Sequence, residues 1–136
     1  MSDGEYSEWT SRDTGLSRQS DEFRHGVHRC AVLAHEGDLA GFQACVGAAY
    51  SGFDRNYQAA LGETRIMYPN TAQGCLADLK RYHAALADYG TDVRAIVLAA
   101  RNLDMHRVIA LARATTPVIE LYRFDDGLVR TRCKPL

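Results

Sequence analysis

The chain lacks most of what would announce a charged polymer, a membrane or a metal as its partner. Among 16 basic residues only Lys80 and Lys134 are lysine, the formal charge is −1, and acids and bases are interspersed along all 136 residues. No basic stripe points to nucleic acid, and no block of like charge forms an interaction tail. No apolar run approaches the roughly 18 residues of a membrane-spanning helix, and Met1 is followed by polar residues instead of a basic and then apolar leader. The expectation is a cytoplasmic protein with no membrane and no nucleic-acid partner. Cys30, Cys45, Cys75 and Cys133 form no C-x-x-C, and each lies in or near an apolar segment. They read as buried free thiols, not as a disulfide frame or a zinc site. A Gly-rich phosphate loop and a nucleophile elbow are also missing.

What is present is one domain's worth of apolar residues, 46% of the chain, enough to bury roughly two thirds of the unfolded surface in one core. Residues 1–19 are polar, rich in Ser, Asp and Gly, and read as a mobile tail with Trp9 as its single candidate anchor. The domain then spans residues 20–136. Ser20 can cap a helix carrying Phe23, Val27, Cys30, Ala31 and Ala34, which Gly37 stops. Asp38 can cap a second helix burying Leu39, Phe42, Cys45, Val46 and Ala49, broken at Ser51-Gly52 before a short piece from Phe53 to Leu61. A strand over residues 64–68 ends at Pro69-Asn70, and Thr71 can cap a long helix through Leu76, Leu79, Tyr82, Leu86 and Tyr89 that stops at Gly90. Beyond Asp92 the period reads as two. Strands are expected over residues 93–99, 104–114, 118–124 and 128–133, joined as an antiparallel meander.

That order of elements resembles the nuclear-transport-factor-2-like α+β cone, in its SnoaL-like and ketosteroid-isomerase-like branch. The resemblance covers residues 22 to 132. It rests on the run from Arg29 to Leu39, on Gly74 to Tyr82, and above all on Ile119-Glu120-Leu121-Tyr122-Arg123-Phe124-Asp125-Asp126-Gly127. It implies a cone-shaped apolar cavity, walled by a curved antiparallel sheet and closed by helices, that takes a small hydrophobic molecule. Carried over by position, Cys30 stands where the steroid isomerases use a tyrosine donor, and Tyr68 stands before the proline where they use an aspartate base. Lys134 falls where the SnoaL-like ending would place an acid. Only Glu120 matches an acidic site position.

Glu120 is an acid among Val118, Tyr122 and Phe124 on one strand face, so it should be paired, protonated or open to a ligand. A three-residue hairpin loop at Asp125-Asp126-Gly127 sets Arg132 opposite it, whereas a two-residue Asp126-Gly127 turn sets Cys133 there. The first arrangement keeps the carboxylate charged and orienting; the second raises its pKa towards acid/base work. A plain structural ion pair is the bland alternative. His106 shares its strand face with small residues that leave room for a ligand, or is an ordinary strand-end histidine. Tyr68 with Asn70 can bond a ligand at the rim, or simply end a strand. His25, His28 and His35 lie opposite the apolar stripe of the first helix and face solvent, which argues against a metal site.

The sequence thus leads to a homodimeric small-molecule acid/base enzyme, an isomerase, cyclase or hydrolase of a largely hydrophobic metabolite. Glu120, His106, Tyr68 and Arg132 are its catalytic candidates, and Cys30, Asn70 and Tyr122 its substrate contacts; no cofactor or metal is expected. The alternative is a non-catalytic ligand-binding or dimerisation module of the same fold.

Overall fold

The computed structural model describes residues 1–65 and 71–135. Within them the chain forms four long helices: α1 (Asp3–His35), α2 (Leu39–Arg65), α3 (Gln73–Arg101) and α4 (Met105–Arg132). No strand occurs among the described residues. The expected α+β cone, and with it the kinship to nuclear-transport-factor-2-like and SnoaL-like proteins, is overturned, because that fold cannot be built without its sheet. The strand expected at residues 64–68 and the rim residues Tyr68 and Asn70 lie wholly or partly outside the described residues.

The helices follow from a seam of core positions spaced alternately three and four apart, the heptad spacing that keeps one stripe of a helix against its neighbours. In α4 the seam reads Met105, Val108, Ala112, Thr115, Ile119, Tyr122, Asp126, Val129 and, at the C-cap, Cys133. In α1 it reads Tyr6, Trp9, Asp13, Leu16, Ser20, Phe23, Val27 and Cys30, so it starts inside the stretch expected as a tail. There Ser2 caps α1: its hydroxyl accepts from the Glu5 amide at 3.2 Å, and the Glu5 carboxylate accepts from the Ser2 amide at 2.9 Å. Trp9 is an anchor, as expected, being only 2% exposed. Ser20 is no cap but a buried core residue.

The punctuation also differs from its sequence reading. Gly37, at φ +85°, does end α1, and the Asp38 carboxylate accepts from the Gly41 amide at 2.9 Å to start α2. Ser51-Gly52 does not interrupt α2, and α3 runs through Gly90 to Arg101. Gly90 is there to make room: a Cβ at this position would collide with the ring of Tyr57 on α2. Pro117, directly ahead of the strand expected at 118–124, and Gly127, expected in the hairpin loop, both lie inside α4. Pro117 leaves the Arg113 carbonyl without its usual amide donor, yet the helix carries on.

In chain order α1 runs up, α2 down, α3 up and α4 down, with α1 packed on α2, α2 on α3 and α3 on α4. The turns at 36–38 and 102–104 lie at the same end, where the Gln43 side-chain amide on α2 donates to the Arg101 carbonyl of α3 at 2.6 Å. All four cysteines are oxidised, correcting the expectation of free thiols: Cys30–Cys45 joins α1 to α2 near the turn end, and Cys75–Cys133 joins α3 to α4 at the far end. The bundle is thus two hairpins, each closed by its own disulfide. Aromatic rings fill the space between them, in a chain from Trp9 through Tyr82, Tyr122 and Tyr89 to Phe53, with neighbouring centroids 5.2–5.9 Å apart.

Candidate ligand-binding site

The seam between α1 and α4 is closed in its lower half by a buried carboxylate. Asp13, 1% exposed, accepts from the hydroxyls of Tyr82 and Tyr122 on one oxygen, each at 2.8 Å, and from the Arg130 guanidinium on the other at 2.7 Å. Arg130 also donates to Asp126 at 3.1 Å, lies 5.7 Å from the Trp9 ring centre, and through its own carbonyl accepts from the Tyr6 hydroxyl at 2.8 Å. Burial pushes the Asp13 carboxyl up, but hydrogen bonds from Asp126, Arg130, Tyr82 and Tyr122 outweigh it and hold Asp13 below the usual carboxylate range. Asp126 goes the other way: burial, then the hydrogen bond to Asp13 and its charge, push it up to about 8. The two carboxyls therefore share a proton at neutral pH, with Asp126 holding it. Burial, then the neighbouring Asp13 charge, also push the Tyr122 hydroxyl far up, so it stays a donor.

One rung higher, the hydroxyls of Ser20 and Tyr89 bond to each other, and an exposed ion pair joins Asp21 to Arg123 at 2.9 Å. Above that level Phe23, Val27 and Ala31 of α1 and Val108, Ala112, Thr115 and Ile119 of α4 wall an open space between the two helices. The result is a cavity of about 430 Å³, floored by Tyr89, Val93 and Ile96 of α3 and by Phe42 of α2. That volume lies within the range of small-molecule sites, which in helix bundles form between helices.

The polar groups of the cavity's interior are already engaged: the Tyr89 hydroxyl by Ser20, and the Thr115 hydroxyl by the Leu111 carbonyl at 2.8 Å. Its mouth carries Arg24 and His28 from α1 and Arg113 from α4, and no carboxylate lines it. Neither arginine has an ion-pair partner among the described residues. Apolar walls with an uncompensated cationic rim suit a molecule with a greasy body and an anionic end.

No family model, curated protein or solved structure matches this chain.

The residues singled out from sequence scatter over this structure. Glu120 and His106 are exposed on α4, His106 in its first turn. Glu120 and Arg132, expected across a hairpin, stand twelve positions apart on one helix, about 18 Å along its axis, so the pair does not form. Arg132 instead joins Arg81 on the buried Asp78 carboxylate, at 3.3 Å, beside the Cys75–Cys133 disulfide. Cys30 is tied to Cys45 and cannot act as a donor. Tyr122 sits in the cluster around Asp13 and does not line the cavity. His25, His28 and His35 do lie on the solvent side of α1, and only His28 reaches the cavity mouth. Sequence reasoning missed Asp13, Asp126, Arg24 and Arg113. The signal for the first two was their place on the three-four seams, where a polar residue demands a buried partner.

Proposed function

We propose that the protein is a binding module for a small, largely apolar molecule carrying an anionic group, taken up between the turn-proximal halves of α1 and α4. The observation that carries this reading is the cavity of about 430 Å³ with apolar walls and unpaired Arg24 and Arg113 at its mouth. At about 30 Å³ for each water-sized group, it accommodates a ligand of about a dozen non-hydrogen atoms. At about 0.5 kcal/mol per atom such a ligand binds with a dissociation constant of about 10–100 μM. The acid/base enzyme expected from sequence finds less support: none of Glu120, His106 and Arg132 lines the cavity, and its walls hold no carboxylate. The two disulfides favour an oxidising compartment over the cytoplasm. No described helix is long and apolar enough to cross a membrane.

Calorimetric titration with decanoate, decanol and decyltrimethylammonium tests the proposal. Decanoate should bind best, and Arg24→Gln with Arg113→Gln should weaken it about tenfold, roughly one lost charge-assisted contact, while leaving decanol unchanged. Ala112→Trp, which fills the cavity, should abolish binding of both with helicity retained. A preference for the cation, or decanoate binding that survives a folded Ala112→Trp variant, would overturn the assignment.

A further inference from the structure

α4 is apolar on two sides. Opposite its core seam runs a second stripe with the same three-four spacing, Ala110, Ala114, Pro117, Leu121, Phe124 and Leu128. Nothing in the chain covers most of it: Leu121 is 52% and Phe124 64% exposed, and Ala110, Ala114 and Pro117 are exposed as well. Such a continuous apolar stripe on a solvent face marks a contact surface. Its order is uneven, with the three small residues in the first half and the three large ones in the second.

We infer that this stripe docks against the same stripe of a second copy, with the two α4 helices antiparallel and crossing near Pro117. Only that orientation sets small against large. Ala110 then faces the second copy's Phe124, Ala114 its Leu121, and Pro117 lies on the two-fold axis. A parallel pairing would set Phe124 on Phe124 and leave a void between the alanines. The charges fit the same register. Arg113 and Glu120 share one flank of the stripe, seven positions apart, too far along the helix to pair with each other. Neither has an ion-pair partner among the described residues. In an antiparallel pair like flank meets like flank, so Arg113 of each copy meets Glu120 of the other and both charges are compensated at once.

The stripe is about 27 Å long from Ala110 to Leu128 and about 10 Å wide, so its footprint of about 270 Å² falls well below a standard interface. The dimer is accordingly reversible and depends on concentration. The stripe itself lies outside the ligand cavity, but Arg113 belongs to both, standing at the cavity mouth as well as on the flank of the stripe.

Sedimentation of the intact, oxidised protein from about 10 μM to about 1 mM, a range matching a weak interface, should show the mass rising towards that of a dimer. Phe124→Glu should remain monomeric throughout. Glu120→Arg should weaken association at least tenfold, and combining it with Arg113→Glu should restore association. Under mild oxidation Pro117→Cys should crosslink to itself. Ala110→Cys should not, because antiparallel copies hold those positions about 21 Å apart. A monomer at the highest concentration means that the stripe serves a different partner and overturns the inference. So does a dimer that persists in Phe124→Glu, a charge swap that fails to restore association, or self-crosslinking through Ala110→Cys.

Discussion

Replacing Asp126 with Asn should remove most of the bundle's loss of stability between mildly acidic and mildly alkaline pH. In the folded chain the Asp126 carboxyl is pushed up to about 8, from an ordinary value of 3.8, by burial and by Asp13. The folded chain thus keeps a proton that the unfolded chain releases, and the proton-linkage slope is negative across that interval: stability falls as pH rises from about 4 to about 8. Asp13, held low, acts oppositely and only on the acid side, its contribution being lost as pH falls below the usual carboxylate range. A shift of about four units at 1.36 kcal/mol each sets a ceiling of about 6 kcal/mol. The Asp126 side chain is 20% exposed and its titration is shared with Asp13, which brings the expected loss to about 2–3 kcal/mol. An Asn amide donates to Asp13 at every pH and has no proton to lose. Urea unfolding at about pH 5 and about pH 8.5, with disulfides intact, should therefore show that loss in the natural chain and under about 1 kcal/mol in Asp126→Asn. Burial also raises Asp92 and Asp125, which leaves a small residual slope in both proteins. Equal slopes in the two proteins would refute the shared proton.

Other perturbations have equally direct readouts. The Cys75–Cys133 disulfide spans 58 positions and Cys30–Cys45 spans 15, so replacing the first pair by alanine should cost about 4 kcal/mol and the second about 3 in chemical denaturation. The reverse order would count against chain entropy as their main effect. Gly90→Ala gains up to about 1 kcal/mol of helix propensity but drives a methyl into the Tyr57 ring. A net destabilisation of about 1–2 kcal/mol is expected, and a raised melting temperature would show that α2 and α3 can move apart freely. Asp13→Ala strands two tyrosine hydroxyls and a guanidinium and should cost about 3–5 kcal/mol, whereas Tyr122→Phe, which removes one hydroxyl, should cost about 1. Similar losses in the two variants would mean that the cluster is not organised around the carboxylate.

The middle of the molecule was more legible than its ends. The core face of α1 from Phe23 onward, the turn at Gly37-Asp38 and most of the α3 stripe follow from periodicity and punctuation, because in those stretches most buried positions hold apolar residues and exposed apolar ones such as Val32 are few. The first half of α1 was hidden by Asp13 and Ser20, polar residues at core positions whose partners, Tyr82, Tyr122 and Tyr89, lie more than 60 residues away. Only the assembled bundle shows that these positions are buried. α4 deceived for the opposite reason. With apolar residues on both its inner and outer stripes, the two periodicities superpose, and stretches such as residues 104–114 and 118–124 imitate the alternation of a strand. Pro117 and Gly127 then lend themselves to a strand start and a hairpin. The three-four seam from Met105 to Cys133 was the signal that separates the readings. Length also discriminates, since 28 residues without a true break exceed any ordinary strand. The cysteine pairing was illegible for want of the fold, because Cys75 and Cys133 adjoin only once α3 and α4 run antiparallel.

Each disulfide lies within a hairpin and none crosses between them. A peptide-bond break anywhere between Arg65 and Thr71 would therefore release two fragments, each still closed on itself. Most of what would bring them back together is specific: Asp13 on the first fragment accepts from Tyr82, Tyr122 and Arg130 on the second, and Trp9 lies against Tyr82 and Arg130. The protein is in this sense a split pair already joined, in which the linking segment sets the effective concentration of the halves and the buried carboxylate sets their recognition.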